Sequence, residues 1–242
     1  MNVLIFAAGL GTRLRPLTDH RPKALVEVCG QPLLWHVIQK VVRAGASEIV
    51  VNVHHFSEQV IDYLDQNDFG VPVKVSYEPQ LLDTGGGLRQ ALALFTDKSQ
   101  PVLIHNVDIF SSGLDLADFY RQHQDCDAAL VVSQRDTQRY LLFSDENRLR
   151  GWTNIVTGDV RSPYTDFNPR DCHQYAFSGI HLFSPRISER LQNYPDVFPI
   201  MDFYLNECQN LRIMGFVCPD LKLLDVGKRG TIEAAEEFLK QF

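Results

Sequence analysis

An α/β fold is predicted by three features of this 242-residue chain. Short apolar runs alternate with helical patterns along most of its length, which is the signature of strand–helix–strand units. The first of these runs, residues 1–9, is apolar almost throughout, as a parallel strand buried on both faces requires. Turns rich in glycine or ending in a carboxylate follow several of the runs, at the strand ends where open parallel sheets gather ligands. Together they predict a Rossmann-like three-layer α/β/α arrangement around a mostly parallel mixed sheet. A single domain covering residues 1–242 is expected, with a small antiparallel insertion at residues 135–175.

Composition narrows the function classes. The chain is 45% hydrophobic and 22% charged, an ordinary globular balance. Its net charge of -7 argues against a nucleic-acid backbone as partner. An acidic protein that binds anions must concentrate positive charge locally, and residues 11–23 do so. The five cysteines are odd in number and include no C-x-x-C, so neither a disulfide framework nor a zinc site is expected. The start lacks the basic region of a signal peptide, and residues 2–8 are too short to span a membrane. A soluble, cytoplasmic protein is the expectation.

The first strand runs into Gly9, Leu10, Gly11, Thr12 and Arg13, and Lys23 follows beyond Pro22. Glycines at Gly9 and Gly11 let backbone N–H groups approach a polyphosphate, with Ala8 and Thr12 beside them. Arg13 and Lys23 supply the charge a triphosphate needs. No Walker A loop is present, because Lys23 does not adjoin a glycine and prolines interrupt the segment. The dinucleotide fingerprint fails at its third glycine, where Leu14 stands. An ordinary strand-to-helix turn with two solvated arginines fits the same spacing.

Pro32 opens a helix with Leu34, Val37, Ile38 and Val41 on one face, and Gly45 stops it. Residues 48–54 read as a second buried strand. Ser57 is placed as the N-cap of a helix, and residues 71–77 alternate as a third strand. His54 and His55 are adjacent on a strand and face opposite ways, so they make a poor metal pair. Glycines at 85–87 then lie between strand and helix. A turn needs one or two, so a third points to something flat against bare backbone, for which a nucleobase is the natural occupant. Residues 101–108 form a fourth strand ending in Asp108. At that strand end Asp108 is either a metal ligand or the cap of the next turn.

Residues 113–123 read as a helix and 127–133 as a fifth strand. Periodicity then fades, and residues 135–175 read as a small antiparallel layer with a loop. Residues 176–185 return to regular structure around Gly179, where either a strand bulge or a close ligand approach is served by glycine. His181 is expected to pack in the sheet. A last strand ends in Asp225, and Thr231 is placed as the cap of a final helix.

Residues 6–25, with Ala-Ala-Gly-Leu-Gly-Thr-Arg-Leu-Arg-Pro-Leu-Thr followed by Arg-Pro-Lys-Ala-Leu, resemble the N-terminal signature of the sugar-1-phosphate nucleotidyltransferases. The resemblance implies an enzyme that joins a nucleoside triphosphate to a sugar 1-phosphate, releasing pyrophosphate. It assigns Arg13, Lys23 and Asp108 to catalysis, and Ala8, Gly9, Gly11, Thr12, Glu78, Gly86 and Gly87 to the nucleotide. It assigns Gly179 to the sugar, and Asp108 and Asp225 to Mg²⁺, which suits two carboxylates and phosphate oxygens. Three departures stand out. Val107 replaces a glycine before Asp108, Leu223 and Lys228 replace the tryptophan and threonine around Asp225, and the Glu-Lys-Pro motif of many members is missing.

Length and motif pattern look most like the N-acetylmuramate-1-phosphate uridylyltransferases, which implies UTP. Mannose- or heptose-1-phosphate guanylyltransferases, using GTP, are the near alternative. A non-catalytic nucleotide-sugar sensor is the alternative of another class. A monomer or small homo-oligomer is expected.

Overall fold

The computed structural model describes residues 1–228 and 230–240. Strand β1 (Asn2–Phe6) leads into two single-turn 3-10 helices, Thr12–Leu14 and Lys23–Leu25, and a short hairpin of β2 (Glu27–Val28) and β3 (Gln31–Pro32). Next come α1 (Leu33–Arg43), β4 (Glu48–Val53), α2 (Ser57–Asp65), β5 (Val73–Tyr77), α3 (Asp83–Leu92) and β6 (Val102–Asn106). Then follow β7 (Ile109–Ser112), α4 (Leu116–Gln122), β8 (Ala128–Ser133), β9 (Arg139–Phe143), β10 (Leu149–Asn154) and β11 (Val160–Arg161). The last elements are β12 (His173–Phe183), α5 (Ile200–Glu207), β13 (Ile213–Val217), β14 (Lys222–Asp225) and α6 (Thr231–Lys240).

Ten strands make one sheet, in the order β11-β10-β9-β12-β6-β1-β4-β5, with β8 paired to β12 and β13 to β8. β6, β1, β4 and β5 are mutually parallel, and β13 is parallel to β8. β12 runs antiparallel to β6, β8 and β9, and the β9-β10-β11 meander is antiparallel throughout. The predicted mixed, mostly parallel sheet with its antiparallel insertion is therefore present.

The packing of β1 explains why it is apolar from Val3 to Phe6. Val3 and Ile5 belong to the core that takes Leu34, Val60, Phe119 and Ala235 from α1, α2, α4 and α6. Leu4 and Phe6 belong to the opposite core, with Leu88 of α3 and Phe203 of α5. Alternate side chains from Val3 to Phe6 thus meet helices on opposite faces, and the buried Asn2 at the start of the strand is satisfied by donating to the Asp97 carbonyl at 2.7 Å.

Two features position the site. β12 is eleven residues long and kinks midway: its register shifts between Phe177 and His181, where Gly179 takes a φ of 79°. Its first half pairs with β9 and its second with β6, so one strand joins the insertion to the main sheet. Separately, β14 pairs antiparallel with β7 and sets Asp225 opposite Ile109, the residue after Asp108.

Some local expectations need correction. Gly85, Gly86 and Gly87 lie inside the first turns of α3 and not in a loop before it. Ser57 begins α2 but does not cap it; Phe56 holds the cap position, with no side-chain bond there. Thr231 is likewise the first residue of α6, and its hydroxyl donates to the Lys228 carbonyl at 2.6 Å.

Candidate active site

The glycine-rich segment leaves β1 at the carboxyl edge of the sheet, as parallel topology demands. Ala7 donates its N–H to Asn52 Oδ1 at 2.7 Å. Asn52 Nδ2 donates to Glu78 Oε1 at 2.7 Å, and Glu78 Oε2 accepts the Leu82 N–H at 3.0 Å. One buried chain of bonds therefore ties together the exits of β1, β4 and β5. Burial pushes the Glu78 carboxyl up from its usual value, against the bonds from Leu82 and Asn52, which pull it down.

Gly11 turns the loop with a φ of 66°. A Cβ there would lie 3.0 Å from both Lys23 Cβ and Thr18 Cγ2, so the loop folds tightly onto the Lys23 segment. Gly9 is exposed, with open space around its Cα. Thr12 and Arg13 are exposed as well.

Lys23 is drawn inward. Its ammonium bonds to Asp108 Oδ2, and only 11% and 16% of the two side-chain surfaces are exposed, so the pair interacts largely out of water. Asp225 arrives from β14, its Oδ1 accepting the Gly227 N–H at 2.7 Å, while the Val226 N–H bonds to the Asp108 carbonyl at 2.8 Å. A Cβ built on Gly227 would lie 2.6 Å from Asp225 Oδ1, 2.7 Å from Lys23 Nζ and 3.0 Å from Asp108 Oδ2. The glycine's bare side is what lets two carboxylates and an ammonium converge. Arg13 stands at the rim, 3.9 Å from Asp225.

This donor set fits a hard divalent cation. Two carboxylates face one point, and the Lys23 ammonium already lies there as a positive charge. Among the described residues no further His, Cys, Asp or Glu joins them to make a group of three. The remaining ligands of Mg²⁺ held by Asp108 and Asp225 would be phosphate oxygens and water, which is its usual preference.

A cavity of about 290 Å³ opens over this cluster, lined by Ala8, Gly9, Lys23, Glu78, Thr84 and Asp108 among others. Asn52 and Asn106 also line it, and the sequence reading gave neither a role. Asn52 had left a signal: a polar residue inside the apolar run of β4.

The triple glycine behaves differently from expectation. A Cβ on Gly85 would fall 2.2 Å from the Phe198 ring, one on Gly86 2.2 Å from the Asp196 carbonyl, and one on Gly87 2.6 Å from Glu78 Oε1. The N–H groups of Gly85 and Gly86 both reach the Phe198 carbonyl. Protein thus occupies the Cβ side of Gly86 and Gly87, the side on which an open face for a nucleobase was expected. Gly179 is similar: its Cβ side faces Asn106 Nδ2 at 2.8 Å, and its flanking residues Phe177 and His181, not Gly179 itself, line a neighbouring cavity.

A glycine-rich loop and two convergent carboxylates at the carboxyl edge of a largely parallel sheet mark a nucleotide-handling α/β protein. Residues 2–140 match the nucleotidyl transferase family, and the chain belongs to it. It is 31% identical to N-acetylmuramate alpha-1-phosphate uridylyltransferase of Caulobacter vibrioides, over 98% of this chain and 96% of that protein. It is 27% identical to mannose-1-phosphate guanyltransferase beta-B of Xenopus laevis, over 83% of this chain; the chain spans about half (56%) of that relative's length. In fold it is similar to HddC from Yersinia pseudotuberculosis complexed with GMP-PN, with a TM-score of 0.75 and 21% identity over 98% of this chain and 99% of the other. It is also similar to a UDP-glucose pyrophosphorylase complexed with UDP-glucose, with a TM-score of 0.77 and 19% identity over 100% and 99% of the two chains.

Proposed function

We propose that this protein joins a nucleoside triphosphate to a sugar 1-phosphate, giving a nucleoside diphosphate sugar and pyrophosphate. The observation that carries the reading is the convergence of Lys23, Asp108 and Asp225 on one point beside a glycine loop. An oxygen of the sugar phosphate attacks the α-phosphorus, and the bond from that phosphorus to the pyrophosphate oxygen breaks. The second pKa of such a phosphate is about 6, so the nucleophile is ionised at neutral pH and no general base is needed. Catalysis then consists of alignment and charge neutralisation. Lys23 holds the reacting phosphates, and Arg13 swings from the rim to the leaving pyrophosphate. Mg²⁺ bound by Asp108 and Asp225 would supply further neutralisation of phosphate charge.

UTP and N-acetylmuramate 1-phosphate are the favoured substrates. The uridylyltransferase relative aligns over nearly all of both chains, whereas the mannose enzyme aligns over little more than half of its own length. A guanylyltransferase acting on mannose or heptose 1-phosphate is the second reading. A nucleotide-sugar sensor is disfavoured, since a sensor has no use for Lys23 and two carboxylates gathered together. The test is pyrophosphate release over a grid of nucleoside triphosphates and sugar 1-phosphates. Release with UTP and N-acetylmuramate 1-phosphate is expected, and its absence throughout the grid overturns the proposal.

A further inference from the structure

A second cavity lies against the first, and the two share Phe6, Thr84 and Asn106. Its charge is unusual for so acidic a chain. Among the described residues no Asp or Glu lines it, while Arg135 and Arg139 both do. Elsewhere the arginines are commonly matched: Arg89, Arg161, Arg190 and Arg212 each meet a carboxylate at 2.6–2.9 Å. Arg135 instead donates to the Phe177 carbonyl at 2.9 Å, which fixes the guanidinium at the wall without neutralising it. Arg139 forms no ion pair among the described residues. His181 adds no charge. It is buried, its Nδ1 lies 2.7 Å from the Tyr204 hydroxyl, and burial drives its pKa down to about 3.

The rest of the lining is uncharged: Thr84, Asn106 and Thr137 are polar, and apolar residues that include the aromatic side chains of Trp152 and Phe177 make up the remainder, a mixture that suits a sugar ring. The two cationic groups belong to different cavities. Lys23 and Asp108 line the first and not the second; Arg135 and Arg139 line the second and not the first. A molecule reacting beside Asp108 and filling the second cavity therefore meets the arginines with a part remote from its reacting phosphate.

We infer that Arg135 and Arg139 bind a carboxylate carried by the sugar of the second substrate, so that the protein selects acidic sugar 1-phosphates over neutral ones with the same ring. The inference rests on the sugar-phosphate reading above and adds what the sugar must carry. Guanidinium groups match a carboxylate through paired N–H donors, and no counter-charge in the wall competes for them.

The test measures binding by calorimetry for N-acetylmuramate 1-phosphate and N-acetylglucosamine 1-phosphate, which differ only in the carboxylate-bearing ether. Wild type, Arg135→Gln, Arg139→Gln and the double variant are compared. Both residues are exposed, so the fold should be retained, as circular dichroism can check. Wild type should bind the acidic sugar ~10- to 100-fold more tightly, the usual worth of hydrogen bonds to a charged group, and the double variant should bring that ratio towards one. Equal affinities in wild type overturn the inference. So does a parallel loss with both sugars, which would mean that the arginines hold the 1-phosphate itself. Because binding is read without turnover, an enzyme that bound the acidic sugar selectively yet released no pyrophosphate would sink the proposed activity and leave this inference standing.

Discussion

Lys23 bonds to Asp108, and both lie close to Asp225 around the bare side of Gly227. Lys23→Ala should lower kcat/KM by ~10²-fold or more, since the lost charge acts on the transition state. Circular dichroism should show the fold intact, and full turnover in this variant would refute the site assignment. Asp108→Asn and Asp225→Asn should each nearly abolish turnover, with the double variant little worse, because residues that serve one ion act as a unit. Losses that multiplied in the double variant would mean separate roles. His105 and His181 make a different prediction. Both are fully buried and held neutral, with pKa values lowered to about 3. Between about pH 6.5 and pH 3 the unfolded chain therefore binds protons that the folded chain does not, and stability falls as pH falls. Each contributes up to ~1.4 kcal/mol per pH unit in that window. Urea unfolding at pH 7 and pH 5 should show a smaller acid loss for His181→Gln than for wild type; an unchanged loss would remove the histidine from the account.

Helix α3 shows how an element is fitted to its neighbours. Gly86→Ala should destabilise the protein by ~1–3 kcal/mol, because its methyl would press on the Asp196 carbonyl, which is backbone and cannot turn aside. Thermal unfolding reads this out, with Gly9→Ala, which meets open space, as the near-neutral control. A Gly86→Ala protein that melted like wild type but bound nucleotide poorly would return that face to the base. The glycines announced a close approach in the sequence, but not what approaches. Their partners Asp196 and Phe198 lie more than a hundred residues on, and local pattern carries no information at that range. The strands β1, β4, β6 and β8 were legible for the opposite reason: burial on both faces writes itself as a run that is apolar at most positions. β13 was not legible, because Gly215 interrupts it where the Phe143 ring comes within 2.8 Å of a notional Cβ. Asp108 was legible from the strand end it follows, Lys23 as a cation beyond the glycine loop, and the metal role of Asp225 through resemblance. Asn106, Arg135 and Arg139 were not, since only tertiary folding makes them line a cavity.

For the whole molecule the open question is the base. A cavity matched to uracil rejects a second ring sterically, whereas one matched to a purine admits uracil loosely. With one sugar phosphate held fixed, kcat/KM for UTP should exceed that for GTP by ~10-fold or more, the scale on which pocket shape discriminates. A clear GTP preference would promote the guanylyltransferase reading and leave the roles of Lys23, Asp108 and Asp225 as proposed. Net charge bears on the same measurement. With an overall charge of -7, attraction of a triphosphate depends on the cations of residues 11–23 and little else, so KM for the triphosphate should rise with ionic strength.

The kinked strand β12 also bears on how the protein is made. β1 is synthesised before the other strands of its sheet yet lies in the interior of that sheet, and β6 pairs with it about a hundred residues later. From then until β12 has been synthesised, β6 and β8 each lack the antiparallel neighbour that later covers one of their edges. Open strand edges invite pairing with other chains, so this interval is when a nascent protein is most exposed to aggregation and to chaperone capture. Chains stalled after β8 but before β12 should therefore associate with ribosome-bound chaperones more strongly than chains stalled after Phe183, when one strand closes both edges together.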